Sequence, residues 1–158
     1  MSCTIRIRIQ REAFDTESET AFLTGGRKDV GATVAFTGLC RDEGGTLKAL
    51  HLEHYPGMAE AEIGRIAEQA AERWQLAGLT AVHRYGRLAP GEPIVLVVAA
   101  ATHRKAAFEA ASFLMDYLKT RAPFWKKEER SDGSKGEWVE AKEADDEAAA
   151  RWRSTNGK

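Results

Sequence analysis

Pro93-Ile-Val-Leu-Val-Val-Ala-Ala-Ala101 is apolar at every position. A strand with one wet face alternates apolar and polar residues. An unbroken apolar run of this length predicts a strand covered on both faces, the central strand of a sheet. A helix is expected directly after it, from about Thr102 to just before Pro123, with Phe108, Ala111, Met115 and Leu118 on its buried face. Upstream, residues 79–84 read as a strand, and Pro90-Gly91-Glu92 as a turn.

Residues 4–10 alternate strictly, with Ile5, Ile7 and Ile9 inward and Arg6 and Arg8 outward, as in a half-buried strand. Asp15 or Thr16 can cap a short helix that Gly25-Gly26 ends. Residues 31–37 and 47–54 read as strands around the Gly-rich polar loop 41–45. Pro56-Gly57 precedes a helix over 58–77, whose Ile63, Ile66, Ala67, Ala70, Trp74 and Ala77 share one face; Gly78 is its expected cap. Residues 124–130 and 136–141 bracket Ser131-Asp-Gly-Ser134, a hairpin signal. A short helix is expected over 143–153, and fraying from about 154. The pattern predicts an α+β fold with a largely antiparallel or mixed sheet, as one domain over 1–158.

The 158 residues are 43% hydrophobic and carry a net charge of -1. That supports a core without staples and excludes nucleic-acid binding through a whole-protein field. Cys3 and Cys40 form no CxxC pattern and no metal-ligand spacing with the four histidines. The start lacks the apolar run of a signal peptide, and no stretch approaches the ~20 apolar residues of a membrane span. A reduced cytoplasmic chain with no membrane partner is expected.

Chemistry concentrates in Lys119-Thr-Arg-Ala-Pro-Phe-Trp-Lys126-Lys127, where cations surround Phe124 and Trp125 with no acid between them. A positive rim around an apolar floor suits an anionic, ring-containing ligand. A lysine beside aromatics and other cations is pushed toward its neutral form, which makes Lys126 a candidate base or nucleophile. The alternative is a strand of solvated lysines with Glu128 as partner. Lys119 at a helix end is equally explained by the helix dipole. His103-Arg104 sits at a strand-to-helix junction, where free N–H groups favour anions. Arg41 is either a closing arm or a solvated loop charge. His51, His54 and His83 read as packing or surface residues. A non-catalytic anion- or RNA-binding module could use the same rim, and would show steep salt dependence.

The chain carries Phe36-Thr-Gly38-x-x-Arg41, Glu53-His-Tyr-Pro-Gly-Met58-Ala59-Glu60, and His83-Arg-x-Gly86-x-Leu88-x-Pro-Gly91-Glu92. It also carries Thr102-His103-Arg104-x-x-Ala107-Phe108 and Met115-Asp-Tyr-Leu-Lys119-Thr-Arg-Ala-Pro-Phe-Trp-Lys126-Lys127-Glu128. In order and spacing these closely resemble the large, catalytic subunit of molybdopterin synthase, over nearly the whole chain. The resemblance implies an α/β hammerhead-type domain with an additional antiparallel sheet. It implies a sulfurtransferase that puts two sulfurs onto cyclic pyranopterin monophosphate. The sulfur donor would be the C-terminal Gly-Gly thiocarboxylate of a small ubiquitin-like carrier. Two large subunits would form the central homodimer of a heterotetramer. No cofactor or metal is implied, because the sulfur arrives already activated.

By position, the resemblance makes Lys119 and Lys126 the catalytic lysines. It assigns substrate binding to Leu39, Cys40, Arg41, His103, Arg104, Lys127 and Glu128. Cys40 stands where the family commonly has Val, and the loop after Arg41 lacks an expected Asn. The final Ser154-Thr-Asn-Gly-Lys158 is not a Gly-Gly tail, so the donor is expected to be a separate chain.

Overall fold

The computed structural model describes residues 2–42, 44–120, 124–139 and 152. The elements run β1 Thr4–Gln10, α1 Thr16–Thr24, β2 Ala32–Leu39, β3 Leu47–His54 and α2 Met58–Trp74. They continue with β4 Gly78–Arg84, β5 Gly86–Leu88, β6 Pro93–Ala101, α3 Arg104–Thr120 and β7 Phe124–Arg130. The apolar run is β6, an inner strand of a four-stranded sheet ordered β1-β4-β6-β2. Its two faces serve two cores. Val95, Val97, Ala99 and Ala101 meet Ile63 and Ile66 of α2 and Phe113 and Leu114 of α3. Leu96, Val98 and Ala100 meet Leu23 of α1. Neither face is wet, so the strand shows no alternation.

β1 pairs with β4 in parallel, and β4–β6 and β6–β2 are antiparallel. The second sheet is antiparallel, ordered β5-β3-β7. The fold is therefore α+β, a mixed main sheet with an added antiparallel one. Asp15 caps α1 through the Ser18 N–H. Glu60 of α2 reaches back to the Gly57 N–H at 2.8 Å, which explains the Pro-Gly-x-x-Glu spelling.

Four expectations need correction. Phe108 is 61% exposed, and the buried stripe of α3 runs through Ala107, Ala110, Ala111, Leu114 and Leu118. Ala111 and Leu118 are buried and Met115 is partly buried, as expected; Phe108 alone falls outside the stripe, because Ala107 fills the tight helix–sheet contact beside it. α2 stops at Trp74, with Gln75 left-handed at φ 50. Ala77 joins the α1-side core instead of the helix face. Gly78 opens β4, where a Cβ would lie 2.9 Å from Leu23 Cδ2; it is a close-approach glycine and not a cap. The return arm of the predicted hairpin makes two isolated bridges, Lys126 with Val139 and Glu129 with Lys135, with no strand among residues 135–139. Residues 140 and 141 of that arm, most of the expected helix over 143–153, and the tail from 154 lie outside the described residues. Within that stretch Trp152 packs edge-on against Trp74 and Phe113.

Candidate functional site

At the end of the main sheet, His83 of β4 pairs with Val95 of β6, and Val95 with Gly38 of β2. This row faces the last turn of α3. Met115, Leu118 and Lys119 close over it to leave a cleft of about 80 Å³. Leu39 and Ile94 complete the lining. Lys119 is the only lysine or arginine among the described residues that line it. A Cβ on Gly38 would stand 2.7 Å from Val95 Cγ1, so the floor is kept open by the missing side chain. The register slips between Gly38 and Leu39, a bulge that re-aims the chain where it leaves the sheet.

His83 is half-buried, and its Nδ1 lies 2.8 Å from the Arg84 carbonyl oxygen. A carbonyl can only accept, so Nδ1 carries the hydrogen and Nε2 the lone pair. Burial pushes the imidazole down to about 4, aided by the Lys119 charge and by His54 and opposed by the Arg84 bond. The ring is neutral at neutral pH. Phe124 of β7 stacks on it with centroids 3.8 Å apart, and His54 lies between Phe124, at 6.0 Å, and Tyr85, at 4.5 Å. This ring stack fastens the small sheet to the cleft.

Phe124, Lys126 and Glu128 share one face of β7, opposite His54, Leu52 and Leu50 of β3. Lys126 thus stands two residues along from the ring that covers His83. Its backbone N–H donates to Val139 at 3.0 Å. Lys127 is on the other face, its Nζ 4.8 Å from the Trp138 ring centroid. Glu128 is exposed.

Leu39 is 57% exposed at the cleft mouth and Arg41 is exposed just beyond it. Cys40 between them is buried, its Sγ 3.8 Å from the Leu88 carbonyl. Burial pushes the thiol up, with Glu92 and Asp42 adding to the effect, so it is a poor nucleophile. Its backbone exchanges bonds with the turn before β6: its N–H donates to Glu92 at 2.8 Å and its carbonyl accepts from Gly91 at 2.7 Å. Buried Arg84 pins the same turn, donating to Pro93 at 3.0 Å and Glu92 at 3.2 Å. The His83-to-Glu92 motif is therefore wiring that fixes both the cleft floor and the start of the Arg41 loop.

His103 and Arg104 are not brought to this cleft. Both are exposed at the start of α3, while Lys119 is in its last turn. That separation is about 22 Å of helix axis. Phe108, one turn on from Arg104, is exposed beside it.

The sequence reading of His83 as a packing residue agrees with its stack on Phe124, but it gave neither the place of His83 in the cleft lining nor the role of Arg84 in holding the turn. The alternation of residues 79–84 places His83 with Leu79 and Ala81, on the face toward α3. That was the available signal, but it does not show which cation stands opposite. Among the described residues no cluster of His, Cys, Asp or Glu is arranged to hold a metal, and no helix is long and apolar enough to cross a membrane.

The family model described as "MoaE protein" matches residues 9–121. The chain is 70% identical to the molybdopterin synthase catalytic subunit of Mesorhizobium japonicum, over 95% of this chain and 94% of that one. Among solved structures it is similar to the molybdopterin biosynthesis MoaE protein of Burkholderia ambifaria, with TM-score 0.82, 46% identity, and 95% and 99% of the two chains covered. It is also similar to molybdopterin synthase from Staphylococcus aureus, with TM-score 0.76 and 32% identity over 83% and 94% of the chains. By the family model and by these relatives, the chain belongs to the MoaE protein family.

Proposed function

We propose that this chain is the catalytic subunit of a molybdopterin synthase, a sulfurtransferase working as one domain in the cytoplasm. It would move sulfur from the thiocarboxylated Gly-Gly end of a small carrier subunit to cyclic pyranopterin monophosphate. The observation that carries the reading is the cleft itself. It is a narrow apolar slot with one ammonium, Lys119, beside the strand that bears Lys126. Such a slot admits a chain end without side chains and offers a cation to its anionic terminus.

In this reading Lys119 and Lys126 handle the carrier end and the reacting groups. The thiocarboxylate sulfur, still acylated, bonds to the substrate carbon as a carbon–oxygen bond at that carbon breaks, and the oxygen leaves with a proton. Water then adds to the carbonyl, the C–S bond breaks, and the carrier leaves as a carboxylate with the thiol on the pterin. One lysine steadies the oxyanion and the other moves protons. Arg41, with Leu39 and Cys40 before it, and Lys127 and Glu128 bound the substrate side. His103 and Arg104 would come from a second copy, since their own helix holds them about 22 Å from Lys119.

The test mixes the protein with thiocarboxylated carrier and the cyclic pterin and follows dithiolene formation. Product is expected from the wild type. Lys119→Ala and Lys126→Ala are each expected to abolish it while the far-ultraviolet circular dichroism and the melting temperature stay unchanged. Near-normal product from both variants overturns the assignment.

A further inference from the structure

His83 lines the cleft beside Lys119, yet no role above uses it. Three of its surroundings are already committed. Nδ1–H is turned to the Arg84 carbonyl, one ring face lies against Phe124, and the ring is neutral. The polar atom left for the cleft is Nε2, a lone-pair acceptor, and no hydrogen bond from the described residues occupies it. The slot therefore offers two complementary polar groups: an ammonium and, beside it, a neutral acceptor. The remaining lining is Gly38, Leu39, Ile94, Val95, Met115 and Leu118, which presents only apolar side chains or none.

An anion alone would need only Lys119. A cation next to an acceptor fits a ligand whose anionic group has an N–H donor a few bonds away. The C-terminal glycine of a peptide has this pattern, with a thiocarboxylate or carboxylate at its end and its own amide N–H on the other side of a single carbon. We infer that His83 Nε2 accepts the hydrogen bond of the carrier's terminal glycine N–H while Lys119 holds the adjoining anionic end. His83 is then a positioning residue for the proposed chemistry. It sets how far the chain end enters and which way its carbonyl faces, and it takes no part in bond making. This inference rests on the reading that the carrier tail occupies this cleft.

The experiment compares four forms of the full-length chain: wild type, His83→Phe, His83→Gln and His83→Asn. Phe keeps a ring against Phe124 without any acceptor. Gln places an amide near the Nε2 position. Asn reproduces only the Nδ1 bond to Arg84. Each is assayed with carrier ending in glycine thiocarboxylate and with a semisynthetic carrier ending in N-methylglycine thiocarboxylate, which has no terminal N–H. Thermal unfolding confirms that each variant folds.

In wild type, the N-methyl tail is expected to raise the carrier KM about tenfold, the worth of one such bond. His83→Phe and His83→Asn should show that rise already with the glycine tail, and no further rise with the N-methyl one. His83→Gln should restore both the low KM and the sensitivity to N-methylation. Rescue by Asn instead of Gln overturns the proposal and makes the Arg84 bond the whole role of His83. So does an N-methyl penalty that persists in His83→Phe. Absence of product from wild type with the glycine tail is a different failure, that of the proposed function itself.

Discussion

A methyl group on Gly38 would lie 2.7 Å from Val95 Cγ1, in the floor of the cleft. Gly38→Ala must push Val95 into the α3 core or tilt β2. It is expected to cost about 1–3 kcal/mol in urea unfolding, as overpacking does, and to raise the carrier KM with little change in kcat. A variant with wild-type stability and KM would show that the glycine is not what keeps the slot open. His83 yields a prediction in pH. Its folded value is about 4, against 6.5 for the free side chain. Between those values the unfolded chain binds more protons than the folded one. The stability that goes with the neutral ring is complete above 6.5 and lost as pH falls toward 4, up to about 3 kcal/mol in all. The groups that bear on the ring are the Lys119 charge, the Arg84 carbonyl and His54. Urea unfolding from pH 4 to 7 should show this slope in the wild type and a shallower one in His83→Phe. Single residues were the least legible level of the sequence. His83 lines the cleft with Lys119, 36 positions away in the chain, and no local pattern encodes that neighbourhood. Phe108 was placed in the core by its hydrophobicity, although the tight α3 contact is filled by Ala107, Ala110 and Ala111.

β7 is held by two different devices, one on each face. On the cleft side Phe124 stacks on His83. On the outer side Glu129 accepts from Arg87 at 3.2 Å and from His51 at 2.9 Å. Those bonds, Arg87 foremost, hold the Glu129 carboxyl down to about 2 from an ordinary 4.5. A depressed carboxylate contributes stability that is present above 4.5 and lost as pH falls through 2. Glu129→Gln should therefore flatten the acid limb of the stability curve below pH 4.5 without touching the His83 limb above it. Phe124→Ala removes a half-buried ring, at a cost of about 2 kcal/mol, and loosens the strand that carries Lys126. Its kcat is expected to fall at least tenfold while Glu129→Gln leaves kcat close to wild type; the reverse ranking would detach Lys126 positioning from the ring stack. Elements were legible where a period ran long enough to read. β1 and β6 were found from alternation and from its complete absence, and α2 from its apolar face. β5 is only Gly86–Leu88, too short for a period, and the return arm after Gly133 is too sparsely bridged to count as a strand.

At the scale of the whole molecule, α3 acts as a rod with one half of the proposed chemistry at each end. Lys119 and the cleft are at its C-terminal end, His103 and Arg104 at its start, about 22 Å apart along its axis. The motifs follow one another in the chain, and α3 holds them apart in space. Their distribution over a rigid helix is a property of folding that spacing alone does not convey. A two-fold pair of chains can set the start of one α3 near the end of the other, and each of its two sites then draws on both copies. Lys119→Ala and Arg104→Ala homodimers are each expected to be inactive or nearly so, since every site lacks one partner. Mixed after subunit exchange, a hybrid pair places both lesions in one site and none in the other. Statistical exchange makes half of the pairs hybrid, so about a quarter of wild-type activity should return. Recovery is read as dithiolene product before and after exchange, with the hybrid fraction measured by native mass spectrometry. If hybrids form and activity does not rise, Arg104 and Lys119 serve the same copy or unrelated steps, and the shared-site arrangement fails even though the cleft around Lys119 stands.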